Sequence, residues 1–109
     1  MSEDNRIPLK VLTLSQSLED LLRNKIIRDD NGTRIEISGV ESVNLYKSID
    51  EKEEILLSVG LKGVPIICKP DIRLYFRRLI ERKYPRIQVI SYMEVPPNYK
   101  LEVLGEINI

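Results

Sequence analysis

The segment Val64-Pro65-Ile66-Ile67-Cys68 is short, almost wholly apolar and flanked by two helical patterns. An apolar run of this length reads as a strand covered on both faces, which is the signature of a parallel sheet with helices packed on it. Pro65 is tolerated near the start of such a strand. On its C-terminal side, Pro70 and Asp71 suit the first turn of a helix, where a missing N–H costs nothing and a carboxylate faces the positive end of the dipole. Ile72, Tyr75, Phe76, Leu79 and Ile80 then recur at helical spacing, and Pro85 is expected to end the helix.

The rest of the chain repeats the alternation. Val11-Leu12-Thr13-Leu14 reads as a first strand running into Ser15, a good helix cap. Leu18, Leu21, Leu22 and Ile26 form one helix stripe, with Arg23, Lys25 and Arg28 gathered near its end. Asp30-Asn31-Gly32 signals a turn. Residues 34–38 alternate as a half-buried strand suited to a sheet edge. Ser38 and Glu41 fit a capping box opening a helix over residues 40–59, with a break allowed near Ser48. Gly60 and Gly63 end that helix. Ile87 to Tyr92 reads as another strand, Pro96-Pro97-Asn98 as a rigid turn, and Lys100 to Ile107 as the last strand.

The order β-α-β-α-β-α-β-β predicts a three-layer α/β fold with a largely parallel sheet of four to five strands. The Pro-Pro-Asn link predicts an antiparallel last strand. Residues 1–8 read as a disordered lead-in and residues 9–109 as a single domain, since 109 residues are too few for two.

Several chemistries lack their residues. The chain has one cysteine and no histidine, which removes an intrachain disulfide, the commonest general base and the commonest metal ligand. Cys68, without a histidine to activate it, reads as a core thiol. Gly60-Leu61-Lys62-Gly63 lacks the ending of a phosphate loop and precedes a strand instead of following one. The carboxylates of Asp50-Glu51-Lys52-Glu53-Glu54 point in different directions from a helix and read as a solvated face. No catalytic residue, cofactor or metal is expected. The N-terminus is polar, unlike a signal peptide, and no window is apolar enough to span a membrane. On these grounds the chain is expected to be soluble and cytoplasmic.

The most pointed feature is the basic helix. From Lys69 to Arg86 there are seven cations and two acids, although Lys plus Arg equals Asp plus Glu over the chain, 17 against 17. Two readings follow. Arg73, Arg77, Arg78 and Arg82 could meet carboxylates, on this domain or on a protein partner, with Arg77 and Arg78 both within reach of Glu81. Alternatively, a small cytosolic regulator could bind nucleic acid through Arg73–Arg86, with arginines on phosphates and Tyr75, Phe76 or Tyr84 as stacking plates. Net neutrality argues against the second. Tyr92 to Pro97 is a strand end running into a rigid loop that could present partner contacts, Glu94 among them, or else a fixed turn with Tyr92 packed on the sheet.

The string from Pro70 to Gly105 resembles the C-terminal signature of the FlhA/LcrD export-gate family of type III secretion. The matching positions are Pro70, Ile72, Arg73, Arg77, Arg78, Glu81, Pro85, Val89, Ile90, Ser91, Tyr92, Glu94, Val95 and Gly105. Leu12 to Leu14 and Leu18-Glu19 agree more weakly. Three positions depart: Lys69 where the family often has a capping Ser, Gln16 where it often has Pro, and Met93 where flagellar members often have Asn.

The resemblance implies a non-enzymatic α/β domain, the last of four cytoplasmic subdomains behind an N-terminal bundle of membrane helices. Full-length members sit at the cytoplasmic face of the bacterial inner membrane, and their cytoplasmic regions form a nine-membered ring. That ring receives chaperone–substrate complexes through earlier subdomains absent here, and communicates with the export ATPase through its stalk protein. The Arg73-Leu74-Tyr75-Phe76-Arg77-Arg78 run and the Ile107-Asn108-Ile109 ending are closer to flagellar than to virulence-associated members.

Overall fold

A computed structural model describes residues 7–109; residues 1–6, most of the expected lead-in, lie outside the described residues. In chain order the elements are β1 (Leu9–Leu14), α1 (Gln16–Asn24), β2 (Ile26–Asp29), β3 (Gly32–Ile35), α2 (Gly39–Ser58), β4 (Ile66–Cys68), α3 (Pro70–Ile80), β5 (Val89–Ser91), a 3₁₀ turn (Tyr92–Glu94) and β6 (Leu101–Ile107).

The apolar segment is an inner strand, as its composition requires. The four-stranded sheet has the order β5-β4-β1-β6, and all three residues of β4 are fully buried. Every pairing in this sheet is parallel. The antiparallel last strand expected from Pro96-Pro97-Asn98 is therefore corrected: Leu9 pairs with Leu101 and Leu14 with Ile107. The prolines do not close a hairpin. Residues 92–100 carry the chain from the β5 edge to the opposite edge and back to the start of the strands, so β6 enters beside β1 in the same direction.

Register places Leu12, Leu14, Ile66, Cys68, Val89 and Ile107 on one face. They form one core with Leu18 and Leu22 of α1, Leu45, Ile49 and Leu56 of α2, and Ile72, Phe76 and Ile80 of α3. All three helices thus share one side of the sheet, where helices on both faces were expected. The steps β1 to β4 to β5 run in one direction, and crossovers of one hand then keep their helices together. Val11 and Ile67 on the other face are also fully buried. No helix packs on that face among the described residues.

A second correction concerns Ile26. It continues the α1 stripe by spacing, yet α1 stops at Asn24 and Ile26 opens a strand. Ile26 and Ile27 are β-branched and favour extended backbone. They pair antiparallel with β3 across Asp30-Asn31, and Gly32 takes φ +114°, a value that suits glycine. Arg34 grips Asp29 with two bonds of 3.0 Å across this turn. Arg28 therefore lies on the hairpin and not at a helix end.

Helix α2 is one uninterrupted element, opened by the expected box: Glu41 N–H donates to Ser38 Oγ at 3.1 Å, and Ser38 N–H to Glu41 Oε1 at 2.8 Å. Gly60 and Gly63, at φ +80° and +69°, turn the chain into β4. Helix α3 starts at Pro70 but ends at Ile80, one turn before Pro85.

Candidate interaction surface

Helix α3 buries Ile72, Phe76 and Ile80 and half-buries Tyr75 and Leu79. This orientation sets what its arginines can reach. Arg73 Nε lies 3.3 Å from Glu94 Oε1, and Arg73 Nη1 donates to the Val89 carbonyl at 3.3 Å. Glu94 Oε1 also accepts the Ser91 N–H at 2.9 Å. The arginine thereby ties α3 to the end of β5 and to the turn after it. Arg77 pairs along the helix with Glu81 at 3.9 Å. Two of the carboxylates sought for this helix thus belong to the same domain.

Arg78 and Arg82 are exposed and have no carboxylate partner among the described residues. Of the five residues singled out from the sequence, the structure joins Arg73 with Glu94, engages Arg77 locally, and leaves Arg78 and Arg82 to solvent. Lys83 lies over the Tyr46 ring, 5.2 Å from its centroid.

The stacking plates that nucleic-acid binding would use are taken up by the core. Phe76 is fully buried, Tyr75 is half-buried, and Tyr84 is buried with its hydroxyl donating to Asp50 at 2.6 Å. Burial, reinforced by that bond to Asp50, raises the Tyr84 hydroxyl well above the usual tyrosine range. Cys68 is fully buried, and burial pushes its thiol up to about 12. A thiol in that state is a poor nucleophile.

Sequence reasoning missed the contacts that fix the start of α3. Lys69 caps that helix without a side-chain bond. Its backbone N–H instead donates to Glu19 Oε2 at 3.2 Å, and its ammonium lies 3.7 Å from Glu19 Oε1. Glu19 comes from α1 and is only 4 % exposed. Next to it, Arg23 holds Asp71 with bonds of 2.6 and 3.2 Å. The Arg23 guanidinium keeps the Asp71 carboxyl below the ordinary range. Asn108, after β6, accepts from Ser15 Oγ at 2.8 Å and donates its backbone N–H to Ser48 at 3.1 Å. No local pattern announces these partners. An acidic residue on the inward side of α1 was the one available hint for Glu19.

Two exposed apolar features remain. Tyr92 and Met93 stand out from the 3₁₀ turn, 43 % and 80 % exposed. At the other end of the sheet, a cavity of about 340 Å³ opens between the C-terminal half of α2, the 61–64 loop and Ile87.

The family model described as FHIPEP matches residues 1–100. The flagellar biosynthesis protein FlhA of Bacillus subtilis is 27 % identical over 108 residues, covering 99 % of this chain and 16 % of that protein. The solved MxiA protein of Shigella flexneri superposes with a TM-score of 0.77 at 30 % identity, over 92 % of this chain and 32 % of that one. The nonameric SctV-C of EPEC superposes with a TM-score of 0.65 at 26 % identity, over 91 % of this chain and 29 % of that one. The chain thus spans a small part of its curated relative and under a third of the solved domains. With a family model matching nearly all of its length and the signature from Pro70 to Gly105 laid out on α3, β5 and β6, this chain belongs to the FHIPEP family of export-gate proteins.

Proposed function

We propose that this chain is a non-catalytic protein-interaction domain of a flagellar or type III protein export gate, the last subdomain of its cytoplasmic region. In that role it packs beside neighbouring copies and the gate's other subdomains in a cytoplasmic ring and contacts the stalk protein of the export ATPase. The family match over residues 1–100 carries this reading. The nonameric state of the related SctV-C supports the ring. The buried thiol of Cys68 and the lack of histidine support a non-catalytic role.

The exposed pair Arg78 and Arg82 is the contact surface for acidic groups on those partners. Charged rims of this kind guide encounter and fix orientation more than they add affinity. Chaperone–substrate complexes and the membrane are met by other parts of the gate. No helix among the described residues is long and apolar enough to cross a membrane.

The test is capture on the immobilised chain of two purified partners, the remaining cytoplasmic region of a gate and the stalk protein. Retention of at least one is expected, and retention of neither by the folded chain sinks the proposal.

A further inference from the structure

We infer that the Tyr92–Met93 turn of one copy seats in the cavity at the opposite end of the sheet of a second copy. This inference rests on the ring reading above and names the two patches that would meet.

The turn is an exposed apolar knob held in one shape. Met93 is 80 % exposed, yet the turn that bears it is fixed by the Ser91 N–H to Glu94 bond at 2.9 Å and by the Arg73 to Glu94 pair at 3.3 Å. A knob already ordered loses little freedom on binding.

The cavity is its complement. Leu12, Leu56, Leu61, Val64 and Ile87 give it apolar walls, and Leu57, 56 % exposed, forms part of its lining. Its volume of about 340 Å³ admits side chains but not a whole helix. Lys62 and Arg86 also line it and have no carboxylate partner among the described residues. Glu94, beside Met93, keeps a half-exposed carboxylate that can face these cations. Glu53 supplies a further polar wall.

The parallel sheet decides the geometry. Tyr92 and Met93 follow the C-terminal end of β5, whereas Val64 and Ile87 precede the N-terminal ends of β4 and β5. Knob and cavity therefore lie at opposite ends of one domain and cannot meet within a copy. A contact between two different patches is head-to-tail, which is the type that generates rings when the rotation closes.

Disulfide trapping tests this. The native Cys68 is buried and silent. A chain carrying Met93→Cys and Leu57→Cys, treated with copper–phenanthroline, is expected to form a ladder of dimers, trimers and larger species. An equimolar mixture of the two single variants is expected to stop at dimers. A control carrying Met93→Cys and Val40→Cys is expected to give no ladder. The inference is overturned if the double variant cross-links no more than this control, or if Met93→Cys alone gives the same dimers. If no ladder forms while gate or stalk capture persists, this pairing fails and the export-gate reading stands.

Discussion

The carboxylate of Glu19 accepts the backbone N–H of Lys69 at 3.2 Å and so caps α3 from a neighbouring helix. Lys69 stands where a capping serine is expected, and its own side chain makes no cap bond. A helix start leaves N–H groups without intrahelical partners, and a buried acid aimed at them satisfies one and complements the dipole. Glu19→Ala is expected to cost about 0.5–2 kcal/mol, the range for losing a helix-capping acceptor. Glu19→Gln, which keeps an acceptor, should cost less. Urea unfolding midpoints of the two variants check the order.

The Arg23–Asp71 pair sets an acid limb. Arg23 lowers the Asp71 carboxyl in the folded state. A depressed acid contributes stability that is present above its unfolded value, 3.8, and is lost as pH falls through the folded value. Asp29, lowered by Arg34, and Glu41, lowered by Ser38, act with the same sign. The urea midpoint is expected to drop on going from about pH 5 to about pH 2. Arg23→Gln should shrink that drop, measured as the difference between midpoints at the two pH values.

Cys68 is expected to resist thiol reagents in the native protein, because it is fully buried and burial pushes its thiol up to about 12. Labelling at about pH 8 should be slow in buffer and fast in denaturing urea. Fast labelling of the folded chain would contradict its place in the core.

Gly105 is required by space and not by its backbone angles. A Cβ there would lie 3.2 Å from Lys52 Cδ and 3.3 Å from Leu12 Cδ2. The lysine tail can swing away, but Leu12 is locked in the core. Gly105→Ala is expected to cost about 1 kcal/mol and Gly105→Val about 1–3 kcal/mol, the range for overfilling a packed site. Thermal unfolding of the two variants checks the gradation.

These residues explain which parts of the fold were legible. The inner strand β4, the capped start of α2 and the proline start of α3 each follow from adjacent residues, and each was readable. β2 was not, because Ile26 satisfies the helical stripe and only its pairing with Ile35 makes it a strand. The direction of β6 was hidden because it depends on where residues 92–100 travel and not on their turn chemistry. The arginine helix was visible as a charge pattern. Its partners were not, since Arg73 meets Glu94 and Asp71 meets Arg23 across distant stretches of chain. The signature that suggested a family proves largely architectural here: Arg73, Ser91, Glu94 and Gly105 hold α3, the turn and β6 in place.

Arg78, the outward part of that signature, and nearby Arg82 make no carboxylate pair among the described residues. Exposed charges of this kind usually change stability by no more than about 0.5 kcal/mol. Reversing both to glutamate should leave the unfolding midpoint nearly unchanged. The most direct measurement is a titration of immobilised chain with the remaining cytoplasmic region of an export gate and, separately, with the stalk protein. Saturable binding of at least one, slower to form and weaker in the Arg78→Glu, Arg82→Glu variant of normal stability, is expected. Binding to neither, or binding untouched by the double reversal, would contradict the account.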